Sequence, residues 1–249
     1  MRLGMTDFRK ECEDSAREPN NILATGRENI SENVFWNIPK DIIDKLALNR
    51  TDIVLDIGCA HGLYDTEFGR LSRLVIGIDY SKEFLHRARR NVENHRIVRV
   101  VGGDARGFPF KNGIFTKMVC YNVFHYFGDL GTVRDVLGDI KRVCKPGAIV
   151  FIGDLPNLGK RRLYLRRKIS REAAERSFST LRRVISPLNQ KILKIMRVGE
   201  IPWHYRIQWF DPELLLRIAS ELGMSGEILQ QQDYIPSHYY RFDLRLTVK

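Results

Sequence analysis

Asp56, Asp79, Asp104, Asn122 and His125 each stand at or just past the end of a short apolar run. Such runs read as buried strands, and in open parallel sheets ligands bind beyond the carboxyl ends of the strands. In Val54-Leu55-Asp56-Ile57-Gly58-Cys59-Ala60-His61-Gly62, two glycines bracket three small or polar residues. That pattern is a strand entering a tight loop and then a helix. An acid at the strand tip suits a ligand with an ammonium or hydroxyl group, whereas a phosphate is met by bare backbone amides. Asp79 ends the next run, Ile76-Gly77-Ile78-Asp79, about 20 residues further on, where a carboxylate can accept from both hydroxyls of a ribose. A plain helix-capping acid is the alternative. Asp104 follows the third run in Gly102-Gly103-Asp104-Ala105. Asn122 and His125 follow the fourth, in Cys120-Tyr121-Asn122-Val123-Phe124-His125-Tyr126-Phe127. A histidine there can serve as a general base or simply pack, and Tyr121 and Tyr126 can wall an acceptor pocket or fill core.

The elements that must position these residues alternate strand and helix. Strands are expected at Ile53–Asp56, Leu74–Ile78, Ile97–Val101, Lys117–Tyr121 and Ala148–Ile152, each short and rich in Val or Ile. Pro39 reads as the opening of a helix carrying Ile42, Ile43, Leu46 and Leu48. Ser81 and Asp129 read as N-caps of two more helices, the second stopped by Lys145-Pro146-Gly147. Asp211-Pro212 caps a further helix that Gly223 ends. Two last strands, about Glu227–Gln231 and Arg241–Val248, suit an antiparallel hairpin near a sheet edge. Repeated strand–helix units favour a parallel sheet with helices on both faces. The expected fold is therefore α/β: a Rossmann-like, seven-stranded, mostly parallel sheet with a C-terminal antiparallel hairpin and a helical cap insertion. Within a single domain overall, 1–38 read as an arm or lid and 39–154 as the core. Residues 155–200 read as a basic helical cap, and 201–249 complete the core.

The charge is uneven. The chain has 249 residues and a formal net charge of +11. Between Lys160 and Arg197 stand 13 basic residues against Glu172 and Glu175, so that stretch accounts for the whole excess. The N-terminal residues lack the apolar run of a signal sequence, and no stretch approaches the roughly 18 apolar residues that span a bilayer. Cys12, Cys59, Cys120 and Cys144 are far apart, with no C-x-x-C pair or histidine cluster. Disulfides and a metal site are not expected, and a cytoplasmic setting is.

Taken in order, Asp56-x-Gly58-x-x-x-Gly62, the Asp79 strand end, Gly103-Asp104-Ala105 and Asn122 to His125 resemble the class I S-adenosylmethionine-dependent methyltransferases of the small-molecule branch. The resemblance runs from about Pro39 to Ile152. It implies that Asp56 orients the amino group of S-adenosylmethionine and that Gly58, Cys59, Ala60 and Gly62 pack along the cofactor chain. The family often has glycine where Ala60 stands; alanine suffices if that position needs no positive φ. By the same resemblance Asp79 holds the ribose, Tyr80 flanks the adenine, and Asp104 with the Ala105 amide meets its edge. Asn122 lies near the methionine portion, and His125 is the candidate base. A dinucleotide-linked dehydrogenase is disfavoured because the first loop lacks G-x-G-x-x-G spacing.

The implied activity is methyl transfer to oxygen or nitrogen of a small acceptor. An RNA methyltransferase and a non-catalytic cofactor-binding scaffold are the alternatives. In relatives an insertion after the fifth strand caps the substrate pocket. Its arginines, Arg162 and Arg166 among them, then clamp an anionic substrate, rest on an anionic membrane surface, or bind RNA backbone. A merely solvated charged face is the plain reading. Nucleic acid is less favoured because exposed aromatics are not interleaved with the charge. Trp203-His204-Tyr205 and Trp209-Phe210 read as anchors of the cap or as pocket lining. Asn33, Phe35 and Trp36 read as part of a lid over the cofactor.

Overall fold

The structure is a computed structural model that describes residues 13–27, 30–168 and 207–249. Its centre is one seven-stranded sheet. The strands are β1 (Ile53–Ile57), β2 (Leu74–Asp79), β3 (Val98–Gly102), β4 (Phe115–Tyr121), β5 (Cys144–Pro156), β6 (Met224–Gln230) and β7 (Arg241–Val248), in the order β3-β2-β1-β4-β5-β7-β6. β1 to β5 run parallel, and β7 pairs antiparallel with both β5 and β6. The sheet reverses direction of winding between β1 and β4, so the tips of these two strands border the crevice where such folds bind ligands.

Alternate strand residues feed two cores. Leu55, Ile57, Met118, Cys120, Val150, Ile152, Leu244 and Leu246 face α4 (Leu130–Val143) and α5 (Pro212–Glu221). Val54, Val75, Val119 and Phe151 face α1 (Glu32–Leu46) and α2 (Leu63–Gly69). The helix α3 (Lys82–Asn91) packs over β2 and β3. Each fully buried aliphatic or aromatic side chain contributes roughly 1.5–3 kcal/mol. Both cores are needed, because parallel strands expose apolar residues on both faces.

Three expectations about elements need correction. Pro39 does not open a helix: α1 begins at Glu32, N-capped by the Ser31 hydroxyl, and Pro39 lies inside it. The buried stripe Phe35, Ile38, Ile42 and Leu46 sets the phase of α1 across the proline, and this packing outweighs the lost backbone bond. Lys145-Pro146-Gly147 does follow a helix end, but β5 already starts at Cys144 and runs to Pro156, well past Ile152. Of the hairpin expected near a sheet edge, only β6 forms the edge; β7 is internal, and Asp243 on it is buried. Its carboxylate accepts from Lys45 at 2.8 Å and from the Asp154 amide at 2.9 Å, and the same Lys45 meets Asp41 at 2.7 Å.

The arm lies over the body. Glu13 accepts from the Lys82 and Glu83 amides and so caps α3 from outside. Arg87 on α3 donates to the carbonyls of Ala16, Glu18 and Pro19 and to the Asn21 side chain. Ala16 and Ala24 pack with Phe84 and Ala60, which sets the arm beside the glycine loop. Phe35 packs on Tyr64 and His61, with ring centroids at 4.9 and 6.0 Å.

Candidate active site

The β1–α2 loop turns sharply. Gly58, Ala60 and Gly62 all have left-handed φ, at 75°, 47° and 72°. The Gly58 and Cys59 amides both donate to the Ile78 carbonyl, tying the loop to β2. A Cβ on Gly58 would stand 2.3 Å from the Val123 side chain, so only glycine fits. The condition set for Ala60 fails: the position does take positive φ. An alanine there costs roughly 1–2 kcal/mol of backbone strain. The Ala60 amide donates to Asp79 Oδ2 at 3.0 Å, which helps hold the loop in place. Ala60→Gly should therefore raise stability by ~0.5 kcal/mol once the greater freedom of unfolded glycine is subtracted. Urea denaturation checks this; a loss of stability would show that the loop is not strained at Ala60.

Asp79 is buried at the tip of β2. Its Oδ1 accepts the Ser81 amide at 2.8 Å and its Oδ2 the Ala60 amide. Burial raises its pKa to about 6, although these amides pull the other way. Each oxygen keeps a further lone-pair direction for a ligand hydroxyl. Tyr80 follows it, partly buried. Asp104 is half exposed beyond β3 and pairs with Arg106, whose amide it also accepts at 3.0 Å. Ala105 packs against the core.

Asp56 and Gly77 are register partners on β1 and β2, on the α2 face. Gly77 leaves room for two neighbours: a Cβ there would be 2.6 Å from Asp65 Oδ2 and 2.8 Å from Cys59 Sγ. Asp65, on α2, is wholly buried, and neither of its carboxyl oxygens meets a donor among the described residues. Burial raises Asp56 to about 7, with Asp65 lowering it and Asp79 raising it. Sequence reasoning passed over Asp65, which on its own looks like an ordinary acid in the first turn of a helix.

At the tip of β4, Asn122 takes a left-handed φ of 61° and donates its amide to the Gly153 carbonyl at 3.1 Å. The turn Phe124–Tyr126 then carries His125 to a wholly buried position against the Tyr126 ring, 4.2 Å between centroids. Neither ring nitrogen of His125 has a hydrogen-bond partner among the described residues. Burial, then the Arg241 charge, holds its pKa well below the usual range, so the imidazole is neutral near pH 7.

Beside it lies a cluster that the motifs did not flag. Asp154, at left-handed φ of 65° near the end of β5, pairs with buried Arg241 of β7 at 3.1 Å. Burial alone would raise the Asp154 pKa, but Arg241 and Arg27 bring it below the ordinary value. Arg27 reaches in from the arm, donates to the Tyr64 hydroxyl at 2.9 Å and lies 4.6 Å over the Tyr121 ring. No carboxylate among the described residues comes within 4 Å of Arg27. The signal that could have found Asp154 was available: after Asp56, Asp79 and Asp104 it is a fourth acid just past an apolar run.

Two of the named residues are not brought here. Arg162 and Arg166 lie in the helical residues 161–168 and are exposed. The basic stretch from residue 169 onward and Trp203-His204-Tyr205 fall outside the described residues. Trp209 packs on Tyr164 and Tyr240, while Phe210 is buried against Phe124, as an anchor would be. Among the described residues there is no His/Cys/Asp/Glu group that could hold a metal, and no helix long and apolar enough to cross a membrane.

Residues 55–152 match a family described as a methyltransferase domain. Nodulation protein S of Rhizobium tropici is 26% identical over 99 residues, covering 40% of this chain and 41% of that protein. The malonyl-[acyl-carrier protein] O-methyltransferase of Legionella pneumophila is 29% identical over 100 residues, 39% of this chain and 34% of that one. The chain thus spans well under half the length of these curated relatives. Among solved structures, the N-methyltransferase NodS of Bradyrhizobium japonicum in complex with S-adenosyl-L-homocysteine aligns over 96% of this chain and 97% of that one. Its TM-score is 0.64 at 14% identity. The methyltransferase in the Haloferax volcanii complex with the Trm112 activator aligns over the same shares, at a TM-score of 0.65 and 15% identity. Residues 55–152 are therefore a methyltransferase-family domain, set in a chain with the fold of the class I S-adenosylmethionine-dependent methyltransferases.

Proposed function

We propose that the chain transfers a methyl group from S-adenosylmethionine to an oxygen or nitrogen of a small molecule. The observation that carries this reading is His125: a buried, neutral imidazole without a hydrogen-bond partner among the described residues, beside Asn122 at the tip of β4. The donor set fits the cofactor. Its amino-acid end is a zwitterion, and Asp56 with Arg27 offers one charge of each sign. Asp79 retains an acceptor direction on each oxygen for the two ribose hydroxyls. Gly58, Cys59, Ala60 and Gly62 supply a loop of small residues to pack against. Tyr80, Asp104 and Ala105 serve the adenine, with Arg106 yielding part of its hold on Asp104.

When bound, the cofactor supplies a sulfonium methyl, an electrophile with its own leaving group. The protein's share is mainly orientation, which can supply about 7–11 kcal/mol. Tyr121 and Tyr126 flank the acceptor side. His125 takes the proton of an alcohol, phenol or protonated amine. Arg241 Nε is also buried without a hydrogen-bond partner among the described residues. That favours an acceptor with a carbonyl or carboxylate oxygen near the methylated atom.

Calorimetry with S-adenosylhomocysteine tests the cofactor, and transfer of labelled methyl to a panel of hydroxyl, amine and carboxylate compounds tests the reaction. With a hydroxyl acceptor, His125→Ala is expected to lower kcat more than ~100-fold while cofactor affinity stays intact. A loss of only a few fold would reduce His125 to packing.

A further inference from the structure

Among the described residues, Asp65 is a wholly buried carboxyl group that the proposed chemistry leaves unused. It sits on α2, over Gly77, with Asp56 on β1, Asp79 on β2 and Cys59 of the loop around it. The Asp79 oxygens each accept backbone amides, so that acid is satisfied as a carboxylate. Asp65 has no such donor on either oxygen among the described residues. A buried carboxylate without any donor is strongly disfavoured against its protonated form. Asp65 Oδ2 sits over Gly77, the register partner of Asp56, so the polar group facing it is another carboxyl. Contact between two carboxyls is favourable only if one bears the proton. Asp65 is the deeper of the two, with both neighbouring acids acting to keep its proton on.

We propose that Asp65 is a positioning residue for cofactor binding: it stays protonated, donates to Asp56, and so keeps Asp56 ionised and oriented for the ammonium group of the cofactor. This rests on the cofactor reading given above. The groups facing Asp56 are Asp65 and Tyr64 from α2, Asp79 from β2, Cys59 from the loop and Cys120 from β4. None of these brings a positive charge, so apart from Asp65 nothing in this set lowers the pKa of Asp56. The substitution Asp65→Asn keeps a donor of the same shape, whereas Asp65→Ala removes it.

Affinity for S-adenosylhomocysteine, measured by calorimetry from pH 6 to 9, separates the possibilities. Asp65→Asn is expected within about threefold of the wild type throughout. Asp65→Ala is expected to bind at least ~10-fold more weakly at pH 7, with the gap narrowing towards pH 9 as unassisted Asp56 ionises. Equal weakening at every pH, or wild-type binding by Asp65→Ala, overturns the proposal while leaving the cofactor reading in place. No binding by the wild type overturns both. Infrared difference spectra of the unliganded wild type against Asp65→Asn give a readout free of the alanine variant's folding. A carboxylic-acid C=O stretch at pH 9, where Asp56 and Asp79 are ionised, is expected in the wild type alone, and its absence refutes the protonated Asp65.

Discussion

Asp79→Ala is expected to weaken S-adenosylhomocysteine binding by ~100-fold or more. Two hydrogen bonds from ribose hydroxyls to a charged acceptor contribute about 1.5–3 kcal/mol each, and alanine removes both. The same carboxylate also receives the Ala60 and Ser81 amides, so its loss frees the strained loop as well. Asp79→Asn, with one oxygen instead of two, should fall between. The pH dependence has a definite sign. Burial raises the Asp79 pKa to about 6, so below that pH the acid holds a proton and becomes a poorer acceptor. Cofactor affinity should therefore decline as pH falls through about 6. Unchanged affinity in Asp79→Ala would remove the ribose role and with it the main support for the cofactor.

The largest effect on folding is expected from Arg241→Leu. Removing one member of a buried ion pair costs about 3–5 kcal/mol, because the partner charge stays behind. Here Asp154 would lose its 3.1 Å pairing with the guanidinium, while the Gln231 amide at 3.0 Å and the Ser237 hydroxyl at 3.2 Å remain. The Asp154 main-chain carbonyl also accepts from Arg241, at 2.6 Å. Guanidinium denaturation of wild type and variant measures the difference. The pair also gives the wild type a characteristic pH response. The Asp154 pKa is depressed in the folded state, so its contribution is present above its unfolded value of 3.8. It is lost as pH falls through the lower folded value. Arg241→Leu should flatten that acid limb; a variant as stable as the wild type would mean that the pair contributes little.

How much of this was legible in the residues alone depends on range. The strand tips were readable because buried parallel strands are nearly all apolar, so an acid at their end stands out. Asp56 and Asp79 announced themselves in this way. Gly58 and Gly62 were readable because a loop that tight needs left-handed backbone. Ala60 was not, since alanine gives no local hint of positive φ; the Asp79 acceptor across the loop helps hold it there. Pro39 misled because a proline signals a helix start only when long-range packing does not override it, and Phe35 to Leu46 did override it. Arg27, Arg241 and Asp65 were hidden for a different reason. Their partners stand between 9 and more than 100 positions away, and no periodicity links an arm, a helix and a last strand. The basic character of Lys160 to Arg197 was plain, but composition says nothing of which side such a stretch faces.

The placement of β7 between β5 and β6 has a consequence for synthesis. Seven-stranded closure and the Arg241–Asp154 contact both wait for the segment Arg241–Val248, which follows every other strand in chain order. During translation at roughly 5–20 residues per second, β1 to β5 can assemble well before that segment leaves the ribosome. Until then the open side of β5 is an unpaired edge, apolar on both faces and prone to pairing with another chain. A nascent chain halted before Arg241 should therefore be a client for chaperones, and competence for ligand should arrive abruptly with the final strand.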